Sequence, residues 1–151
     1  MVTVTTILAV TLAVAVLAYA TWKKGSLPDA VSEVAYIIPH TAFSIWIAVV
    51  GMLLMPGMME SLNDNVQFVG FLSVVGLLCV ASSAYYKTEA KRLHYIGGCL
   101  CALCATVAVT FIQPLILLLW IAYIPFLVWH RAYWVFWAEV IVFTTLVLAI
   151  I

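Results

Sequence analysis

In 151 residues the chain carries 68% hydrophobic and only 8% charged side chains, against about 45–50% and about 25% in an ordinary soluble domain. A chain of this length cannot hide that much apolar surface in a water-soluble core, so lipid is the solvent its composition calls for. Six basic and six acidic residues cancel, which excludes the one-sided field of a nucleic-acid binder.

A bilayer-crossing helix needs about 20 mostly apolar residues. By this measure the sequence predicts one all-α membrane domain over residues 1–151, with six spans near 2–21, 34–55, 66–86, 93–112, 115–130 and 132–151. The first span competes with a signal peptide, because Ala18-Tyr19-Ala20 resembles a cleavage site. It lacks a basic leading segment, however, and Lys23 and Lys24 follow the apolar run, so a retained helix is expected.

Next comes GSLPDAVSEVAY, which reads as a helix start with Pro28 in the first turn and Ser26 or Asp29 as the cap. Asp29 and Glu33, four apart, would then sit on one face near the positive end of the helix dipole. The second span follows with Pro39 inside it. A kink is expected there, with freed carbonyls near His40. At its far end MLLMPGMM groups Met52, Met55, Met58 and Met59. Thioethers are soft enough for Cu(I), yet methionine is also the common filler of apolar gaps, and the latter reading is preferred.

Span three carries Gly70, Ser73, Gly76, Ser82 and Ser83, and span four has two stripes of small residues, Gly97/Cys101/Ala105 and Gly98/Ala102/Thr106. Four-residue spacing stacks each stripe on one face, which lets backbones approach closely in lipid, so span four is expected to be central and to touch span three. Cys79, Cys99, Cys101 and Cys104 all lie in apolar runs and read as packing residues, not as a disulfide framework or a thiolate metal cluster. Gln113 and Pro114 then break the run, giving a short fifth span of roughly 16 residues with a second kink at Pro125.

Every Lys and Arg falls on one face of this arrangement, in the loops after spans one, three and five. By the positive-inside rule that face is cytoplasmic and both termini are on the non-cytoplasmic side of a multi-pass cell membrane protein of the bacterial inner-membrane type. Most titratable side chains in or at the ends of the spans collect in the same half. Helical rise places His40 and Glu139 about 10 Å inside it, with Tyr36, Ser44, Ser82, Ser83, His94, Tyr95, His130 and Tyr133 within a turn or two.

An ionisable group within a membrane is a candidate functional residue by default. Glu139, in the apolar run WVFWAEVIVF, is therefore expected to pair with His40 or a tyrosine at the floor of a polar cavity. The competing reading is a structural clasp, a glutamic acid bound to a neighbouring hydroxyl and holding two helices in register.

Three functions remain open. The first is a transport, channel or accessory-subunit role. The second is a zinc hydrolase acting on a lipid-like substrate, with His40, His94, His130 and Glu139 as the ligand set. The third is a scaffold whose aromatic sixth span docks a partner helix, lipid or a second copy. No H-E-x-x-H or G-x-S-x-G supports the enzyme. A bis-histidine haem lacks a second intramembrane imidazole facing His40.

Overall fold

The computed structural model describes residues 2–129 and 131–151. Among these residues six α-helices form: α1 (Val2–Lys24), α2 (His40–Ser61), α3 (Gln67–Ser82), α4 (Lys91–Ile112), α5 (Leu119–Trp129) and α6 (Trp134–Ile150). Short 3-10 helices precede α2, α3, α5 and α6, over Val31–Tyr36, Asp64–Val66, Pro114–Leu118 and Arg131–Tyr133. No strand occurs among the described residues.

Five helical stretches among the described residues are long and apolar enough to cross a membrane: Thr3–Lys24, His40–Ser61, Asp64–Ser82, Lys91–Ile112 and Arg131–Ile150. The fifth expected span is instead a shorter apolar helix, Pro114–Pro125. Proline accounts for this. Pro114 starts a tight 3-10 turn and Pro125 removes an amide inside α5.

The second span also departs from expectation. Pro39 does not kink a helix that began at residue 34; it stands at the N-cap of α2, with φ −55° and ψ 136°, and the helix runs on to Ser61. A residue before proline avoids the α region, so the chain breaks around residues 37–39 and restarts at His40.

Neighbouring helices pack in chain order from α1 to α4, and α6 lies against α4 with α5 beside it. The α3–α4 contact is the most extensive. Two glycines permit it. A Cβ on Gly76 would lie 2.5 Å from the Cys101 amide nitrogen and 2.6 Å from the Gly97 carbonyl, and a Cβ on Gly97 would lie 2.6 Å from the Cys79 Cβ. Ser73 Oγ donates to the Cys101 carbonyl across the same seam at 3.2 Å.

Of the two small-residue stripes on α4, the one with Gly97, Cys101 and Ala105 faces α3, with Gly97 and Ala105 buried. On the other stripe, a Cβ added to Gly98 would meet nothing within 4 Å. Deeper in the bundle Phe43, Leu54, Met58 and Val109 are fully buried, whereas Met52 is exposed, so the methionines of MLLMPGMM do not share one environment.

Gly76→Ala should therefore destabilise the protein by about 1–3 kcal/mol through forced separation of two backbones. Gly98→Ala should leave stability unchanged or raise it by about 0.5–1 kcal/mol, because alanine is the better helix former. Thermal unfolding of the two variants in one detergent compares them directly, and equal losses would refute the assigned contact face.

Candidate functional site at the cation-rich end

The α1 helix ends on Lys23 and Lys24. Gly25, at φ 76°, turns the chain out of it, and the Gly25 amide returns to the Thr21 carbonyl at 2.9 Å. Pro28 is fully buried beneath the turn that follows. The 3-10 helix Val31–Tyr36 then begins at Ala30 with no side-chain cap from its own segment.

Glu139 supplies that cap from α6. Its carboxylate accepts hydrogen bonds from the backbone amides of Val31 and Ser32. One turn earlier on α6, the Phe136 amide donates to the Asp29 carbonyl at 3.1 Å. Two corrections follow. Glu139 pairs with neither His40 nor a tyrosine, because two amides at the positive end of a helical turn satisfy a carboxylate better than one neutral ring or hydroxyl. Ser26 and Asp29 do not cap the turn either: the Asp29 amide donates to Glu33 Oε2 at 2.7 Å.

Glu33 is also the centre of the ion pairs. Lys24 Nζ lies 2.9 Å from Glu33 Oε2 and 3.8 Å from Asp29 Oδ1. Burial pushes the Glu33 carboxyl up, but the Lys24 hydrogen bond, the Asp29 amide and the charges of Lys24 and Lys87 together hold it below the ordinary value of 4.5.

Here rings from the 3-10 helix, α2, the turn between α3 and α4, and α4 form a continuous chain. His40 lies 4.0 Å from Tyr85 and 5.3 Å from Tyr36, centroid to centroid; Tyr36 is 5.4 Å from Tyr86, and Tyr86 stacks on His94 at 4.0 Å. Tyr36 is the hub. Its hydroxyl accepts from the Lys87 amide at 2.8 Å, and Lys87 Nζ sits 4.6 Å above its ring. Burial raises the Tyr86 hydroxyl above the usual phenol value, so it remains a protonated donor.

His94, buried, faces Ser83 with Nδ1 and Oγ 3.2 Å apart. The single Ser83 proton is directed at the Cys79 carbonyl, 2.6 Å away, so the shared proton belongs to His94 Nδ1 and Ser83 Oγ accepts it.

Two cavities flank the ring chain. The first, about 320 Å³, lies between Asp29, Glu33, Lys87, Lys91 and the rings of Tyr86 and Tyr95. The second, about 300 Å³, opens between α2 and α3 beside His40, Ser44, Ser82 and Tyr85. Ser44 and Ser82 donate to the carbonyls of Ala81 and Cys79, at 2.6 and 3.0 Å, while His40 Nδ1 is buried without a partner.

Of the residues singled out in the sequence, His40, Ser44 and Ser82 line the second cavity, Tyr36 and His94 belong to the ring chain between the two, and Ser83 is hydrogen-bonded to His94. Glu139 lines neither cavity, and His130 lies outside the described residues. Among the described residues no three His, Cys, Asp or Glu side chains are grouped to hold a metal. His40, His94 and Glu139 are thus not grouped as three ligands among the described residues, and the fourth candidate of the zinc set, His130, lies outside them.

Sequence reasoning missed Tyr85 and Tyr86, and it assigned Lys87 and Lys91 only to topology. The signal was the segment YYKTEAKR, where two adjacent tyrosines run into three basic residues between α3 and α4. No family model matches this chain, and no curated protein or solved structure matches it either.

Glu139→Ala strips the cap from two amides and should cost about 1–3 kcal/mol of stability, with Glu139→Gln losing less because one acceptor oxygen remains. Hydrogen exchange should report the loss first at Val31 and Ser32; unchanged protection there would refute the cap.

Because the folded-state Glu33 carboxyl lies below its ordinary value of 4.5, its contribution is fully present above that pH and is lost as pH falls through the lowered folded value. Glu33→Gln should therefore flatten the stability profile below pH 4.5. Melting curves across that range test it, and parallel profiles for the two proteins would count against the ion pair.

Proposed function

We propose that the protein is a six-crossing membrane protein, termini outside, that serves as a non-conducting accessory component holding a polar ligand at its cation-rich, cytoplasm-facing end. The observation that carries this reading is the one-sidedness of its polarity. Both cavities and the ring chain lie at the end where Lys24, Lys87 and Lys91 gather. The interior beyond them is filled by Phe43, Val50, Leu54, Met58 and Val109.

Three features support the sixth crossing. The start of α6 is tied to Asp29 at the cation-rich end, α4 starts at that end, and the chain after Ile112 must return there. The 5-residue 3-10 helix and 11-residue α5 together reach roughly 26 Å at about 2.0 and 1.5 Å per residue, close to the ~30 Å hydrocarbon thickness. The positive-inside rule then assigns the cation-rich end to the cytoplasm.

A conducting monomer would need polar groups to continue through the bundle, whereas Glu139 is already committed to two backbone amides. Reconstituted into liposomes, the protein should show the proton permeability of empty vesicles, and a C-terminal reporter should lie outside the cell. Proton flux that disappears in Glu139→Gln would overturn the non-conducting role, and a cytoplasmic C-terminus would overturn the topology.

A further inference from the structure

We infer that the 320 Å³ cavity binds a zwitterionic headgroup, a phosphate held by Lys87 and Lys91 with a primary ammonium held by Asp29 and Glu33, as an aminophospholipid carries. The inference rests on the ligand-binding role proposed above and names the ligand class. Size comes first. The volume stands at the low end of the range for ligand sites, suited to a headgroup and too small for a bulky solute.

Charge comes second. The cavity brings two cations and two carboxylates to one space, yet among the described residues both ion pairs are made by Lys24. Among the described residues Lys87 and Lys91 have no carboxylate within salt-bridge distance, although Asp29 and Glu33 border the same cavity. Lys87 is steadied instead by the Tyr36 ring, 4.6 Å below its ammonium. Opposite charges held apart across a cleft suit a ligand that itself separates them, with its anion toward the lysines and its cation toward the carboxylates.

The carboxylate wall keeps acceptor capacity. Both hydrogen bonds to Glu33 fall on Oε2, leaving Oε1 for a donor, and the Asp29 side chain is 70% exposed and only 3.8 Å from Lys24. A purely anionic headgroup would meet these carboxylates as repulsion, so the cavity should discriminate by the ammonium.

Height comes third. Lys87 and Lys91 lie at the turn between α3 and α4, and Asp29 and Glu33 lie just beyond α1, the level at which a membrane helix meets headgroups. The exposed Tyr95 ring stands at the mouth, where an amphiphile would enter sideways from the leaflet.

The test is native mass spectrometry on the delipidated full chain, titrated with short-chain phosphatidylethanolamine, with short-chain phosphatidylglycerol, and with water-soluble phosphoethanolamine as competitor. The phosphatidylethanolamine should bind about tenfold more tightly than phosphatidylglycerol, and phosphoethanolamine should displace it. Lys87→Gln combined with Lys91→Gln should abolish binding, whereas Lys91→Arg, which keeps the charge, should retain it. Asp29→Asn should narrow the preference over phosphatidylglycerol without removing phosphate binding.

Phosphoethanolamine bound as tightly as the lipid supports the zwitterion site and assigns its occupant to the soluble pool. Equal binding of the two lipids, or lipid binding that phosphoethanolamine does not displace, overturns the inference. Absence of all binding, with no proton flux in liposomes, would overturn the headgroup site while leaving the non-conducting role standing.

Discussion

A half-buried carboxylate and unpaired amides at the edge of an apolar bundle each carry a desolvation cost, and Glu139 and the Val31–Ser32 amides relieve each other. The rest of the cation-rich end depends on this contact. It joins the last helix of the chain to the segment after the first and sets where the 3-10 helix Val31–Tyr36 begins. That start places Glu33 against Lys24 and directs Tyr36 at the end of the turn toward Lys87, Tyr86 and His40. One half-buried acceptor thereby orders the carboxylate wall of the charged cavity.

The other wall is set by the glycine seam. Because Gly76 and Gly97 let α3 and α4 meet backbone to backbone, the end of α3 and the start of α4 are held side by side, and Ser83 reaches His94. Tyr86 then stacks on the same imidazole. A wider helix separation would leave His94 buried without its hydroxyl partner, so dispersion along the seam and polar satisfaction at its end support one another.

Much of this was legible in the sequence, and the missing parts share a cause. Apolar run length announced the long helices, four-residue spacing picked out α4, and the loop positions of Lys and Arg announced a polar end. Side-chain chemistry with a fixed period leaves such traces. The partner of Glu139 left none, because backbone amides have no residue identity. Its expected pairing with His40 failed because equal depth along two helices says nothing about which faces meet. Pro39 was misplaced for a related reason: proline marks an interruption, but whether the helix bends or restarts depends on what stabilises the preceding turn. Here that turn is held by a residue 108 positions away.

Once Glu139 is occupied, the end of the molecule has a division of labour. Hydrogen bonds of the half-buried Glu139 carboxylate are consumed in holding the backbone, and His94, in the first turn of α4, is consumed by Ser83 and Tyr86. At the surface of the first cavity, Lys87, Lys91 and Oε1 of Glu33 keep unspent capacity among the described residues, while His40 Nδ1 stays unpartnered beside the second. Polar groups within an apolar bundle are drawn inward in satisfied pairs, whereas the charges lining the first cavity face one another without all meeting. The free charge of this end therefore sits on the turn residues flanking α1 and α4, with Glu139 and His94 acting as the frame that keeps those turns in place.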